Sequence, residues 1–317
     1  MAVYTTLSEI EIRSLLSRFP LSDLNSFQGV SSGIENTTYF LTLNSGDEYV
    51  LTVFENFSSD SLRPYIQLLS LLSSHHLPIP CPCVDVHGSA LQLIANKPAL
   101  LLPRAPGTHV DNPAPAVCYA VGSILASIHS VAPPVDSELF TLQNPCGLSW
   151  MKETLALVNS SLSNVETTLL HEQITLSAEL EARALPRGII HGDLFRDNVL
   201  IENNTVTAVI DFYNAGQDTL LVDLAITAND WCYTQADTAA VEKNLEALLA
   251  GYNLKRPLCA PELGSWRECL QVAAARLWLS RQKRLVLSRQ GGKGAVKNPD
   301  EYKSLLLRHC TTLSHPP

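Results

Sequence analysis

The spacing of apolar residues predicts a β-rich first third of the chain. Short runs of β-branched, aromatic and other apolar residues predict strands at residues 27–32, 38–43, 48–54, 91–95 and 99–102. Turn residues at 44–47 join the second and third of these runs into a hairpin. Thr6 and Glu9 form a capping-box pattern that predicts a helix to about Arg18, and a second helix is predicted over 61–75. A small sheet with two helices is therefore expected here.

Beyond Pro103 the apolar spacing takes the period of a helix. Helices are predicted at about 117–129, 151–185, 220–231, 238–252, 262–287 and 298–309. The β-rich part and the helical part are joined by a connector that contains Pro103, Pro106 and Gly107. One interruption, residues 188–212, holds two apolar runs separated by a polar loop and a turn. We therefore predict an α+β protein with two domains, residues 1–103 and 104–317.

The composition narrows the classes of function. Of the 317 residues, 46% are hydrophobic and 17% charged, which excludes a disordered chain. The net charge of −9 and the lack of a long basic run disfavour nucleic acids and anionic membranes as partners. No stretch approaches the roughly 18 apolar residues of a membrane span, and the first residues do not resemble a signal peptide. The 8 cysteines form no Cys-x-x-Cys pair, so we expect free thiols and a cytoplasmic location.

The interruption at 188–212 carries the residues most suited to chemistry. Asp193 and Asn198 lie in the polar loop, and Asp211 ends an apolar run one hairpin later. Phosphoryl transfer needs a carboxylate to accept the proton of the attacking hydroxyl and oxygen ligands for Mg²⁺ on the phosphates. The hairpin can bring both ends of this segment over one pocket. The pattern therefore indicates phosphoryl transfer.

This segment, His191–Asn198 followed by Ile210–Tyr213, resembles the catalytic loop and metal-binding aspartate of the aminoglycoside phosphotransferase and choline kinase superfamily. The resemblance implies a two-lobed, protein-kinase-like fold, with a small antiparallel sheet in the first lobe and a larger, mostly helical second lobe. It also implies ATP as phosphate donor, Asp193 as catalytic base, and Asn198 and Asp211 as Mg²⁺ ligands.

Segments along most of the chain are similar to bacterial homoserine kinases of this superfamily. They are Gly33–Phe40, Tyr49–Glu55, Asp223–Ile226, Asn229–Cys232, Arg276–Arg281 and Asn298–Tyr302. That family phosphorylates the side-chain hydroxyl of L-homoserine with ATP. The resemblance therefore implies L-homoserine and ATP as small-molecule partners, and it leaves the oligomeric state open.

The nucleotide contacts expected in the first domain depart from those of protein kinases. Thr52 stands where a protein kinase places its phosphate-binding lysine, and the helix over 61–75 offers no obvious glutamate partner. Hydroxyls and amides of the preceding glycine-containing loop could hold the phosphates instead. The connector's backbone is expected to bind adenine. The candidate nucleotide-binding residues are Ser31, Ser32, Gly33, Thr52, Leu102 and Arg104.

An L-homoserine site should offer a cation for the substrate carboxylate and an acid for its ammonium group. The candidate cations are Arg276 and Arg281, with Arg284 beside them, and the candidate acids are Glu35 and Asp230. The arginines cannot all face one way, because five residues turn a helix by about 140°. Asp223, which follows the metal-binding aspartate, is predicted to brace the catalytic loop.

Other functions remain open on the same fold. Choline, methylthioribose or an aminoglycoside could be the acceptor, although choline needs an aromatic box and only 7% of residues are aromatic. A nucleotide-binding pseudokinase is a second alternative, because the strand lysine is absent. The presence of Asp193, Asn198 and Asp211 favours an active enzyme.

Overall fold

The computed structural model describes residues 4–30, 36–233, 238–289 and 297–311. Contacts between residues divide the chain into two units, Met1–Pro106 and Gly107–Pro317. Among the described residues, no helix is both long enough and apolar enough to cross a membrane. The mixed α/β architecture expected from the sequence is confirmed, with an antiparallel sheet in the first unit and a mostly helical second unit.

The first unit is a five-stranded antiparallel sheet with two helices. Its elements are α1 Glu9–Leu16, β1 Leu24–Gly29, β2 Thr37–Leu43, β3 Glu48–Val53, α2 Ser59–Ser74, β4 Gln92–Ile94 and β5 Lys97–Pro103. The strands lie in the order β1-β2-β3-β5-β4, and every neighbouring pair is antiparallel. The strand pairs β2–β3 and β4–β5 are hairpins with short turns, and the first of these hairpins is the one that the sequence predicts.

One face of this sheet packs on α1. Leu51 and Val53 of β3 belong to the same buried cluster as Ile12 and Leu15 of α1. Because side chains alternate across a strand, Thr52 faces the opposite side of the sheet. Thr52 is itself buried there and pairs in register with Leu100 of β5.

The start of α1 differs from the sequence prediction. Ser8, not Thr6, is the N-cap, and it forms a reciprocal capping box with Glu11: the Glu11 N–H donates to Ser8 Oγ, and the Ser8 N–H donates to the Glu11 carboxylate. Thr6 with Glu9 and Ser8 with Glu11 are both possible capping boxes in the sequence, and a contact between residues distant in sequence favours the second. The Leu7 N–H donates to the Tyr39 hydroxyl at 2.9 Å, which holds Leu7 in the segment before the helix.

The second unit combines eight described helices with two short strand pairs. The helices are α3 Pro115–His129, α4 Glu138–Thr141, α5 Leu148–Val158, α6 Asn164–Ala182, α7 Leu220–Trp231, α8 Thr238–Lys255, α9 Ala260–Arg289 and α10 Asp300–Thr311. The strands β6 Arg187–Ile190 and β9 Gly216–Thr219 form one antiparallel pair. The strands β7 Val199–Glu202 and β8 Thr205–Val209 form the other.

The single helix predicted over 151–185 is divided in two. A 3₁₀ turn at Asn159–Ser161 follows α5, and α6 starts from its own capping box. Ser163 is the N-cap, with its hydroxyl and N–H bonded to Glu166. Because this box satisfies the free N–H groups of a new helix start, the chain can change direction here without leaving the first turn of α6 unpaired.

Candidate active site

The loop that joins β6 to β7 begins with the buried His191 and with Gly192, whose φ is positive. Gly192 has φ +77°, and a Cβ on it would lie 2.5 Å from the carbonyl oxygen of Asn214, so a glycine is required. Burial lowers the pKa of His191, which is therefore neutral. Its Nε2–H donates to the Ile210 carbonyl at 3.0 Å, and its Nδ1 accepts the Asp193 N–H at 3.2 Å. This histidine thus links the loop to the end of β8.

Asp223 of α7 holds the same loop in place through hydrogen bonds to its backbone. Its carboxylate is fully buried and accepts the N–H groups of His191 and Gly192 at 2.7 and 2.9 Å, and it pairs with His129 Nε2 at 3.0 Å. Burial alone would raise the pKa of this carboxyl, but the bonds from His129 and the loop outweigh it and the pKa is lowered. The prediction that Asp223 braces the loop is confirmed.

We expect Asp223→Asn to weaken both folding and catalysis. An amide can present only one acceptor oxygen, so at least one loop N–H or His129 loses its charged partner in a buried place. The free energy of unfolding should fall by about 2–3 kcal/mol, and kcat should fall more than KM for ATP rises. Chemical denaturation and steady-state kinetics measure the two effects. Unchanged stability together with unchanged kcat would contradict the bracing role.

The three residues predicted for catalysis come together at the ends of the β7–β8 hairpin. The Asn198 Nδ2–H group donates to the carbonyl and the carboxylate of Asp193, at 2.8 and 3.2 Å. The Ile210 N–H donates to the Asn198 carbonyl at 3.0 Å, which places Asp211 next along the chain. Asp211 is left-handed, with φ +64°, where the strand ends and a 3₁₀ turn begins. The side-chain nitrogen of Asn198 is thus used to position Asp193. The side-chain oxygen of Asn198 is then the atom of this residue that is suited to bind a metal.

The candidate nucleotide residues divide into those that the structure describes and those that it does not. Ser31, Ser32, Gly33 and Glu35 lie outside the described residues. Leu102 pairs with Val50 and therefore shares with Thr52 the sheet face opposite α1. The Arg104 guanidinium lies 4.1 Å from the centre of the Phe40 ring on that face and bonds to Glu48 at 3.1 Å. Thr52, Leu102 and Arg104 are thus on one side of the sheet.

A lysine–glutamate pair does exist in the first unit, but on the other face. Lys97, at the start of β5, forms an ion pair with Glu55 and also donates to Thr5 Oγ1 at 2.8 Å. The Thr37 hydroxyl donates to the same Glu55 carboxylate. Thr37 lies two residues before Tyr39 and Lys97 two before Ala99, so both share the face that packs on α1, and this pair does not replace the lysine absent at Thr52.

Asp230 is held against the catalytic loop by a residue that the sequence analysis did not single out. It accepts the Arg196 backbone N–H at 2.9 Å and the Arg196 Nε–H at 3.1 Å. Burial lowers the pKa of Arg196, but the Asp230 charge outweighs this and the pKa is raised. Trp231, next on α7, donates its indole N–H to the Leu194 carbonyl at 2.9 Å. The acid predicted for the substrate is therefore already committed to one ion pair.

The Arg281 side chain contacts residues of α10 and of the segment before it. Its guanidinium forms an ion pair with Glu301 at 2.5 Å and donates to the Asn298 carbonyl at 2.8 Å. It also lies 4.2 Å from the centre of the Tyr302 ring. Its charge is therefore balanced by Glu301, so a role toward a substrate carboxylate stays a prediction.

Arg276 is buried beside Asp218, and its role toward a substrate carboxylate stays a prediction. Arg276 is only 5% exposed and pairs with Asp218 of β9 at 3.5 Å, and both residues line a small cavity that has polar as well as apolar walls. Asp218 lies opposite Gly188, before β6 reaches the catalytic loop. The two arginines, five residues apart, turn to different partners.

Comparison with known proteins places this geometry in a family. A model of the phosphotransferase enzyme family, APH, matches residues 26–258. The chain belongs to this family. Two similar members are homoserine kinases. That of Methylobacillus flagellatus is 38% identical over 306 residues, with 96% of this chain and 94% of the relative covered. That of Neisseria meningitidis serogroup B is 35% identical over 307 residues, with 97% and 99% covered.

Solved phosphotransferase structures share the fold at lower identity. An amicoumacin kinase, in complex with AMP-PNP and Ca²⁺, has a TM-score of 0.72 and 18% identity, over 96% of this chain and 92% of that one. A spectinomycin phosphotransferase in complex with ADP has a TM-score of 0.67 and 14% identity, over 97% and 99%. The resemblance to this superfamily and to homoserine kinases, inferred from the motifs, is confirmed.

The phosphotransferase site has a donor set that fits magnesium bound mainly through nucleotide phosphates. Asn198 and Asp211 supply oxygen atoms, which Mg²⁺ prefers. Within the described ranges there is no group of three or more His, Cys, Asp or Glu residues that could hold a metal. One or two protein oxygens are the usual protein share when phosphates and waters complete the shell. The residues therefore fit a metal that arrives with the nucleotide.

Proposed function

We propose that the chain is a homoserine kinase, which uses ATP and Mg²⁺ to phosphorylate the side-chain hydroxyl of L-homoserine. The observation that supports it best is the grouping of Asp193, Asn198 and Asp211 on a loop braced by Asp223. The identity of 38% to the M. flagellatus homoserine kinase, over nearly the whole of both chains, supports the acceptor.

In this proposal Asp193 is the general base. It accepts the proton of the L-homoserine hydroxyl as that oxygen attacks the γ-phosphorus of ATP, and the bond from phosphorus to the ADP oxygen breaks. The products are O-phospho-L-homoserine and ADP. The Asn198 amide orients Asp193, while the oxygens of Asn198 and Asp211 would hold Mg²⁺, which neutralises charge on the phosphates.

The remaining binding roles are assigned by the chemistry of the residues. Hydroxyls of Ser31, Ser32 and Thr52 and the Gly33 amide would replace the absent lysine at the phosphates. The backbone near Leu102 and Arg104 would bind adenine. The candidates for the charged groups of the acceptor are Glu35, Asp230, Arg276 and Arg281.

A coupled ADP-release assay tests the proposal directly. The purified chain is given ATP, Mg²⁺ and, in turn, L-homoserine, choline, methylthioribose, an aminoglycoside or no acceptor. We expect kcat/KM for L-homoserine to exceed that for any other acceptor at least ~100-fold, and chelation of Mg²⁺ to abolish turnover. Preference for another acceptor would overturn the assignment of L-homoserine. ATP binding without turnover on any acceptor would favour the pseudokinase.

A further inference from the structure

Tyr302 carries a buried hydroxyl group with no hydrogen-bond partner. The residue lies on α10, is 1% exposed, and its phenol oxygen has no partner in the part of the chain that the structure describes. A buried polar group without a partner is costly, and most such groups in proteins are satisfied. The hydroxyl can therefore bond to a group that comes from outside the chain, such as a water molecule or a ligand.

The charged groups around this hydroxyl are already paired with one another. Arg196 pairs with Asp230, and Arg281, which lies over the Tyr302 ring, pairs with Glu301. These two pairs leave the neighbourhood close to electrically neutral. Within the described residues the phenol has unused hydrogen-bonding capacity, and it has one proton to donate.

The segment that leads into α10 contacts the loop that carries Asp193, because Lys297 Nζ donates to the Asp197 carboxylate at 2.7 Å. Burial raises the pKa of Tyr302 well above its usual value, and the carboxylates of Asp230 and Asp193 add to the rise. The phenol is therefore neutral and is a hydrogen-bond donor. An acceptor whose hydroxyl reaches Asp193 must place the rest of its short carbon chain in this neighbourhood.

We propose that the Tyr302 hydroxyl donates a hydrogen bond to the carboxylate of the acceptor and so selects an amino acid over a simple amino alcohol. The inference rests on the proposed function, because it takes L-homoserine as the acceptor. The hydroxyl is closed to solvent in the chain alone, so the side chains that cover it shift when the acceptor binds.

The test compares Tyr302→Phe with the unmodified chain on three acceptors. L-Homoserine carries both charged groups, 3-aminopropan-1-ol lacks the carboxylate, and 4-hydroxybutyrate lacks the ammonium group. A hydrogen bond to a charged group predicts a loss of roughly ten- to hundredfold in kcat/KM for the two carboxylates. The value for 3-aminopropan-1-ol should stay within about twofold. If an analogue turns over too slowly, its inhibition constant against L-homoserine replaces kcat/KM.

Stability separates this role from a merely structural one. Removal of a hydroxyl that bonds to nothing in the chain should not lower the thermal midpoint of Tyr302→Phe. The matched control is Tyr39→Phe, in the first unit, whose buried hydroxyl donates to the Thr5 carbonyl and accepts the Leu7 N–H, both at 2.9 Å. That variant should lose stability and keep the ratio between the three acceptors.

The outcomes distinguish this inference from the proposed function. No turnover of L-homoserine by the unmodified chain would refute the function itself. Normal turnover, with equal losses on all three acceptors in Tyr302→Phe or with no loss, would overturn only the role of Tyr302. A loss confined to acceptors with an ammonium group would also overturn it, because the hydroxyl would then face the other end of the substrate.

Discussion

Replacement of Asp193 by asparagine should lower kcat for L-homoserine phosphorylation by at least about 10²-fold, the usual contribution of a general base. The amide has nearly the same shape and keeps an oxygen that can accept the Asn198 Nδ2–H, so the loop should retain its form. It cannot accept the proton of the attacking hydroxyl. The loss should therefore appear in kcat, with KM for ATP and the thermal midpoint little changed. Coupled ADP release and thermal unfolding measure these quantities.

The same loop supplies a matched control. Asp197, four residues further on, bonds to Lys297 at 2.7 Å, and both side chains are about half exposed. Asp197→Asn removes the same charge from the same loop without touching Asn198 or the proposed base. This variant should keep kcat within about threefold, since an exposed ion pair contributes little. If Asp193→Asn retained near-normal kcat, or if both variants lost activity alike, Asp193 would not be the base.

The grouping of the three residues proposed for catalysis was predictable because they lie in one short segment. Asp193, Asn198 and Asp211 fall within a loop and the hairpin that follows it, so local pairing of β7 with β8 brings them together. The apolar runs that make the hairpin are visible in the sequence. By contrast, β9 was missed, because Gly216–Thr219 has no β-branched or apolar run and becomes a strand only by pairing with β6.

Contacts between distant elements were the part that sequence could not provide. The period of a helix shows which residues share a face, but not where that face points in the fold. Arg276 and Arg281 looked equivalent as cations, yet one pairs with Asp218 and the other with Glu301. No local sequence pattern around Tyr302 indicates a site. Its hydroxyl stands out only in the folded chain, where it is buried without a hydrogen-bond partner among the described residues.

The crossing of α3 and α8 should be the position in the second unit most sensitive to a single methyl group. A Cβ on Gly122 would lie 2.0 Å from the Leu248 carbonyl oxygen, and one on Gly251 would lie 2.1 Å from the Tyr119 carbonyl oxygen. Both contacts are with backbone, which cannot turn away as a flexible side chain can. The two helices approach this closely because glycines face each other's backbone.

We therefore expect Gly122→Ala to lower the free energy of unfolding by more than about 3 kcal/mol, at the upper end of the cost of overpacking. Gly264→Ala is the matched control, because Gly264 is an exposed glycine within α9 with nothing within 4 Å of its added Cβ. That change should stabilise the chain by about 0.5–1 kcal/mol, since alanine loses less backbone entropy in a helix. Chemical denaturation of both variants measures the difference. Equal stability of the two would mean that α3 and α8 can separate without cost and that the glycines do not set their distance.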